Sequence, residues 1–228
     1  MQSAYNKVAR EYSEVFTDIS LRCFEWPWLK KIILDLKPDS LLDLGCGNGY
    51  LIKALSPFTA RLYGIEPCEP MFRIAEAQLG GKAVLYNSFA ENLPFGNGYF
   101  DLAVSFLSFR YMEWEKSLLE IHRVLKPDGR FIVIDLFAAA FNPFKLGLYF
   151  TALVKTRLQY ACNKEFRKRL KKLSQNPDWL EMVMKYPKRE LYDAKQALKK
   201  EFSILDEKTL CHSVSGKTVG LVCKKKIV

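Results

Sequence analysis

The chain has only two histidines and six cysteines in its 228 residues. The cysteines, at positions 23, 46, 68, 162, 211 and 223, include no C-x-x-C pair. That scatter argues against a zinc site or a disulfide framework and fits a reducing cytosol. No metal is expected, and the expected location is cytoplasmic. Long apolar runs are also missing. The most apolar stretch, Phe131 to Val154, is interrupted by Asp135, Asn142, Pro143 and Lys145. A spanning helix needs about 20 mostly apolar residues, so no transmembrane segment is expected. Met1 leads into polar Gln2, Ser3 and Asn6, and no signal peptide is visible. Internal repeats and low-complexity tracts are absent.

What is present is ample core material: 49% hydrophobic and 14% aromatic residues are enough for one packed domain with an elaboration. The net charge of +10 is unevenly placed. Lys155 to Lys200 holds 14 of the 35 Lys and Arg residues but only five of the 25 Asp and Glu. The rest of the chain is close to neutral, so one segment carries the positive field. Within it Leu158, Cys162, Phe166 and Leu170 recur every fourth residue, with Lys164, Arg167, Lys168, Arg169, Lys171 and Lys172 on the other faces. Preceded by apolar Leu146–Val154, such a helix suits an anionic membrane surface or the phosphates of RNA. Its plainest reading is a solvated helix face.

Helical spacing marks residues 3–36, through Tyr5, Val8, Ala9, Tyr12, Val15 and Phe16, then Leu29, Ile32, Ile33 and Leu36. Strands are expected at Ser40–Leu44, Arg61–Ile65, Ala83–Tyr86, Tyr99–Ser105 and Arg130–Leu136, with helices at Pro70–Leu79 and Trp114–Leu125 and a turn at Lys126-Pro127-Asp128-Gly129. Two or three helices follow between 138 and 200, then a strand pair at Phe202–Leu205 and Thr218–Cys223. Alternating strands and helices imply a parallel sheet with right-handed crossovers.

The most informative segment is Leu41 to Tyr50, LLDLGCGNGY. An apolar strand ends at Asp43, glycines follow at 45, 47 and 49, and Leu51, Ile52, Ala54 and Leu55 open a helix. Strand, glycine turn and helix N-terminus form a nucleotide-sized cradle. The spacing is G-x-G-x-G; a dinucleotide fingerprint, G-x-G-x-x-G, would need glycine at Tyr50.

This run resembles the first motif of the class I S-adenosyl-L-methionine (SAM) dependent methyltransferases. YGIEPCEPM, Tyr63 to Met71, is similar to their second motif, and AENLPFGNGYFDLAVS, Ala90 to Ser105, to the third and fourth. EIHRVLKPDGRFIVID, Glu120 to Asp135, resembles the helix, turn and strand that follow, and YNKVAREYSEVF the aromatic helix that opens the small-molecule branch. Phe106 to Arg110 resembles a stretch of the quinone-biosynthesis C-methyltransferases, where Tyr111 replaces a polar residue. The resemblance implies an α/β, doubly wound, Rossmann-like sheet of seven mostly parallel strands in the order 3-2-1-4-5-7-6. It implies an N-terminal helical cap (1–39), a SAM-binding domain (40–137 and 201–228) and a basic helical insertion or lid (138–200).

It also assigns roles. Gly45, Cys46, Gly47, Asn48 and Gly49 would bring bare backbone to the cofactor, and Asp43 would meet its amine. Glu66 would take both ribose hydroxyls. Pro67 and Met71 would flank adenine, with backbone near Ala90 and Glu91 reading its edge. Phe89 stands where the family often has Asp, and would stack instead. Ser105, Phe106 and Leu107 would face the methyl group, and Tyr5, Tyr12 and Phe106 would wall the site. Asp128 stands at a turn position that is usually glycine and tolerates Asp.

Arg110 and Tyr111, past strand four, and His212, in the last expected loop, are the catalytic candidates; for His212 a surface role is the plainer reading. His122, amid Leu118, Ile121 and Leu125, reads as structural, Cys46 as packing. Asn142-Pro143-Phe144 follows the wrong strand to be a methylation tetrad. The expected function is methyl transfer to a small lipophilic acceptor such as a quinone precursor. An RNA base is the second acceptor, and a non-catalytic SAM-binding subunit or sensor the alternative class. A peripheral contact with the inner membrane face accompanies the first reading.

Overall fold

The computed structural model describes residues 2–139, 164–213 and 216–227, and between the first two of these only 147, 150, 151 and 154. The strands are β1 (Ser40–Leu44), β2 (Arg61–Ile65), β3 (Val84–Tyr86), β4 (Phe100–Phe106), β5 (Leu125–Ala138), β6 (Phe202–Ser213) and β7 (Gly216–Lys225). They form one sheet in the order β3-β2-β1-β4-β5-β7-β6. Neighbours from β3 to β5 are parallel, and β7 runs antiparallel to both β5 and β6. The expected strand order and mostly parallel character are both present.

β1, β4 and the inner stretches of β5 and β7 are buried on both faces, as the centre of a parallel sheet requires, and their side chains alternate between two cores. Leu42, Leu44, Ala103, Phe131 and Val133 face one layer. There they meet Leu118 and Ile121 of α5 (Trp114–Val124), and Ala194 and Leu198 of α8 (Leu191–Glu201). Leu41, Leu102, Val104, Ile132 and Ile134 face the other. That layer holds Leu29 and Ile33 of α2 (Glu25–Leu36), and Ile52 and Leu55 of α3 (Tyr50–Leu55). α4 (Glu69–Leu79) follows β2.

Helix α1 (Gln2–Val15) lies off the sheet, against α4, α6 (Lys164–Ser174) and α7 (Pro177–Lys185). Residues 1–39, expected as one cap, therefore divide between two layers. α8, expected within the insertion, packs with α5 in the layer over the sheet.

Two expectations are corrected. The Lys126–Gly129 turn is an outward bulge within β5: Phe100 pairs with Leu125 but Leu102 with Arg130. The last two strands are far longer than expected. Asp206, Glu207 and Lys208 are polar because β6 is the exposed sheet edge, and their polarity hid the strand.

Crossovers from β1 run outward through β2 to β3, then return to β4 on the other side of β1. Such a reversal opens a crevice at the carboxyl ends of the two strands, where open α/β sheets bind ligands.

Candidate functional site

The chain leaves β1 through a bend built on left-handed backbone, with φ +73° at Gly45 and +56° at Gly47. Such angles cost a non-glycine residue roughly 1–2 kcal/mol each. The amides of Gly45 and Cys46 both donate to the carbonyl of Ile65 at 2.9 Å, pinning the bend to the end of β2. Contact is closest at Gly45, where an added Cβ would lie 2.7 Å from the Cβ of Ser108. Ser108 donates its hydroxyl hydrogen to the carbonyl of Leu44 at 2.5 Å, so Ser105, 2.7 Å away, must donate to Ser108. This relay ties β4 to β1 beneath the bend. Leu107, beside it, is itself left-handed at φ +61°, strain of the kind that gathers at functional sites.

Two buried carboxylates flank the bend. Glu66 accepts from the Gly47 amide at 2.8 Å and the Cys68 amide at 2.9 Å. Burial still raises its pKa to about 7 against the pull of those donors. Asp43 is 1% exposed, and its Oδ1 has no hydrogen-bond partner among the described residues. Burial, reinforced by Glu66, lifts its pKa to about 8. An orphaned carboxylate oxygen is costly unless a ligand donor or cation meets it. Cys46 is held well above the usual thiol range by burial, as its reading as a packing residue requires.

The bend separates two clefts. One, of about 800 Å³, is lined by Glu66, Pro67, Met71, Phe89, Ala90 and Glu91. The other, of about 520 Å³, holds Asp18, Arg22, Asp43, Cys46, Asn48 and Tyr50. Tyr12, Gly45, Gly47, Phe106 and Leu107 border both. Arg22 places its guanidinium 4.2 Å over the Phe16 ring, with Nη2 3.4 Å from the Tyr12 hydroxyl. Asn48 donates to the carbonyl of Phe16 at 2.9 Å, fastening the bend to the end of α1. A wider opening, of about 970 Å³, continues outward past Phe89, Tyr111, Met112 and Arg189.

Most residues singled out from the sequence meet here. Gly49 lies just behind, at φ +81° capping α3, and Ser105 is fully buried in the serine relay. The side chain of Tyr5 lies outside the described residues, as do most of Leu146–Val154, Leu158, Cys162 and Asn142-Pro143-Phe144.

Arg110 is turned away from the clefts. Its amide donates to Asp135 Oδ2 at 2.8 Å, and its Nε lies 3.4 Å from Oδ1. Tyr111 lines the mouth and meets Tyr186 edge-on at 5.4 Å. His212 borders neither the two clefts nor the outer opening. It pairs with Lys217 in the outermost strand, because the hairpin is longer than expected, and three strand positions separate it from β4. His122 is structural, 2.9 Å from the carbonyl of Lys226 and packed against Phe202.

Arg22, Ser108 and Tyr50 were not anticipated. For Tyr50 the signal was its place after the glycine run; Ser108 and Arg22 carry none that sequence spacing reveals. Among the described residues, no group of three or more His, Cys, Asp or Glu is placed to hold a metal, and no helix is long and apolar enough to cross a membrane.

Comparison with known proteins bears on this geometry. Residues 42–133 match the methyltransferase domain family. An uncharacterized protein of Methanocaldococcus jannaschii is 35% identical over 129 residues, covering 56% of this chain and 48% of that one. A demethylmenaquinone methyltransferase of Desulfitobacterium hafniense is 29% identical over 170 residues, covering 68% and 66%. The chain thus spans less than two thirds of the length of either relative. A SAM-dependent methyltransferase from Aquifex aeolicus shares the fold with a TM-score of 0.58 and 14% identity, covering 86% of this chain and 89% of that one. So does geranyl diphosphate C-methyltransferase from Streptomyces coelicolor, crystallised with S-adenosyl-L-homocysteine (TM-score 0.56, 14% identity, 83% and 70% covered).

Proposed function

From the premise that residues 42–133 are a methyltransferase domain on a class I methyltransferase sheet, we propose that this chain binds SAM and transfers its methyl group to a small lipophilic acceptor. The observation that carries the reading is the charge pattern around the bend: orphaned Asp43 and cationic Arg22 share one cleft, and Glu66 lines the other. An α-amino acid head needs one anion and one cation, and a ribose diol needs a carboxylate with spare acceptor capacity. Asp43 would hold the amine, Arg22 the carboxylate, and Glu66 the ribose. Gly47, with open space where a Cβ would stand, leaves the backbone bare to the ligand. Pro67, Met71 and Phe89 would enclose the adenine.

When bound, SAM supplies a methyl group already activated on a sulfonium, so the protein need not create a leaving group. The residues at the mouth then have a positioning task. Phe106 and Leu107 would confine the transfer path, and Tyr111 and Met112 would orient the acceptor in line and keep water out. Such alignment lowers a barrier by roughly 7–11 kcal/mol. Tyr111 is the acceptor-facing residue in this reading. Arg110, facing Asp135, supports the loop that carries Tyr111. The Phe89, Tyr111 and Met112 side chains at the mouth, where Glu91 and Glu113 would repel a phosphate chain, together with relatives named for demethylmenaquinone and geranyl diphosphate methylation, support a lipophilic acceptor over an RNA base.

The test is thermal. S-adenosyl-L-homocysteine at 100 times its Kd adds about 2.7 kcal/mol of stability, a rise in Tm of roughly 5–10 °C for a chain of this size. No rise with either it or SAM rejects the reading. A rise with no methyl transfer to quinone precursors or RNA identifies a SAM-binding sensor instead.

A further inference from the structure

The apolar stripe of α6 is not free for a partner. Phe166, Leu170 and Leu173, with Trp179 of α7, pack against Tyr12, Val15 and Phe16 at the end of α1. Lys7 of α1 pairs with Asp178 of α7 at 2.8 Å. Both helices therefore lie on α1 and turn their other faces away from it. Residues three or four apart share a helix face. Opposite Phe166 and Leu173 that face is Lys164, Lys168 and Lys171, flanked by Arg167 and Lys172, all five exposed. None of the five forms an ion pair among the described residues, whereas Arg169 turns inward to Glu165 and the carbonyl of Glu14. On α7, Met182 is fully buried, while Leu180 and Val183 are 46% exposed and Met184 75% exposed. Glu181 and Lys185, also exposed there, offset each other.

A row of cations on one helix and exposed apolar side chains on the next, both helices packed on α1, is a combination an anionic lipid surface recognises: charge meets the headgroups, and the apolar groups enter the interface. A phosphodiester chain would use the cations but leave Leu180, Val183 and Met184 without purpose. We propose that the outward face of α6 and α7 docks this protein on an anionic bilayer. The proposal deepens the lipophilic-acceptor reading and rests on it for its purpose. α1, on which the pair lies, contributes Tyr12 to both clefts, so docking would set the site beside the phase in which such an acceptor dissolves.

Sedimentation with phosphatidylcholine vesicles, with and without phosphatidylserine, tests this. The full chain is expected to pellet with the anionic vesicles only, and less so as salt rises. Replacing Lys164, Lys168 and Lys171 together by Gln should weaken binding roughly fivefold per lysine, about a hundredfold in all. Leu180→Ser with Met184→Ser should abolish the binding that persists at high salt. Both variants should keep the wild-type thermal shift with S-adenosyl-L-homocysteine, which shows that they fold. The proposal is overturned by wild type remaining in the supernatant, by equal binding to neutral vesicles, or by undiminished binding of the lysine variant. Retention on single-stranded RNA without vesicle binding overturns it too. Loss of docking alongside an intact thermal shift leaves the methyltransferase reading standing; docking without any thermal shift removes that reading instead.

Discussion

The glycine bend and the α6–α7 pair are built on opposite plans. At the bend, charge is sparse and individually placed: the buried carboxylates of Asp43 and Glu66, the half-buried guanidinium of Arg22, and backbone pinned by amide and serine contacts. On α6 charge is abundant, exposed and repetitive. The first plan makes each atom matter to geometry. The second makes only the sum matter, because exposed charges act through a screened collective field. Substitution should therefore separate the two regions by both size and kind of effect.

The largest effect is expected at Glu66. Glu66→Ala removes the ribose carboxylate and leaves the Gly47 and Cys68 amides without their acceptor. Two charge-assisted hydrogen bonds contribute about 1.5–3 kcal/mol each, so calorimetry should find S-adenosyl-L-homocysteine bound at least ~100-fold more weakly. Retained affinity would take the bend out of ligand recognition. Gly45→Ala comes next and acts on the fold, since it combines a left-handed φ with contact to Ser108. Its cost should be about 2–4 kcal/mol, seen as a lower Tm without ligand. Pairing it with Ser108→Gly should recover part of that loss.

Arg22→Ala sharpens the contrast between the two clefts. Affinity for S-adenosyl-L-homocysteine should fall roughly 10- to 100-fold, whereas 5′-methylthioadenosine, which lacks the amino-acid head, should bind as before. Equal losses for both would assign Arg22 a packing role on Phe16.

Asp43 gives a pH signature. Its folded-state pKa is raised from 3.8 to about 8. The empty protein thus holds a proton that the unfolded chain has released. That contribution to stability is complete below about pH 4 and is lost as pH climbs through about 8. The amine of S-adenosyl-L-homocysteine needs the ionised form, so its thermal shift should grow from pH 6 to pH 8. Glu66, raised to about 7, adds a growth common to S-adenosyl-L-homocysteine and 5′-methylthioadenosine; the additional growth seen only with S-adenosyl-L-homocysteine belongs to Asp43, and Asp43→Asn should remove that part. The smallest effect belongs to α6: replacing Lys164, Lys168 and Lys171 by Gln should change stability within about 0.5 kcal/mol per site, seen as an almost unmoved Tm.

The same contrast explains what could be read before the fold was known. β1, β4 and β5 are apolar on both faces and punctuated by glycine, so periodicity and turn chemistry located them. Glu66 was legible because it ends a strand after a recognisable cradle. Ser108 was not, because its meaning depends on Gly45, 63 positions away, resting against its Cβ. Arg22 was not, because a lone arginine in a short turn has no period, and only the packing of Phe16 and Tyr12 aims it into a cleft. The basic segment was legible only in part: Phe166 and Leu170 of its apolar spacing lie against α1, while the exposed apolar residues Leu180 and Met184 of α7 lie outside that spacing.

The amide of Asn48 holds the carbonyl of Phe16, where α1 ends, and α6 and α7 ride on that helix. Lifting α1 to admit or release a guest would break this clasp, along with the contacts of Ser13 with Met71 and of Asn6 with Cys68, and tilt the lysine-studded pair with it. Gatekeeping and anchorage are thereby geared to one lever, and a change in foothold would be felt at the door.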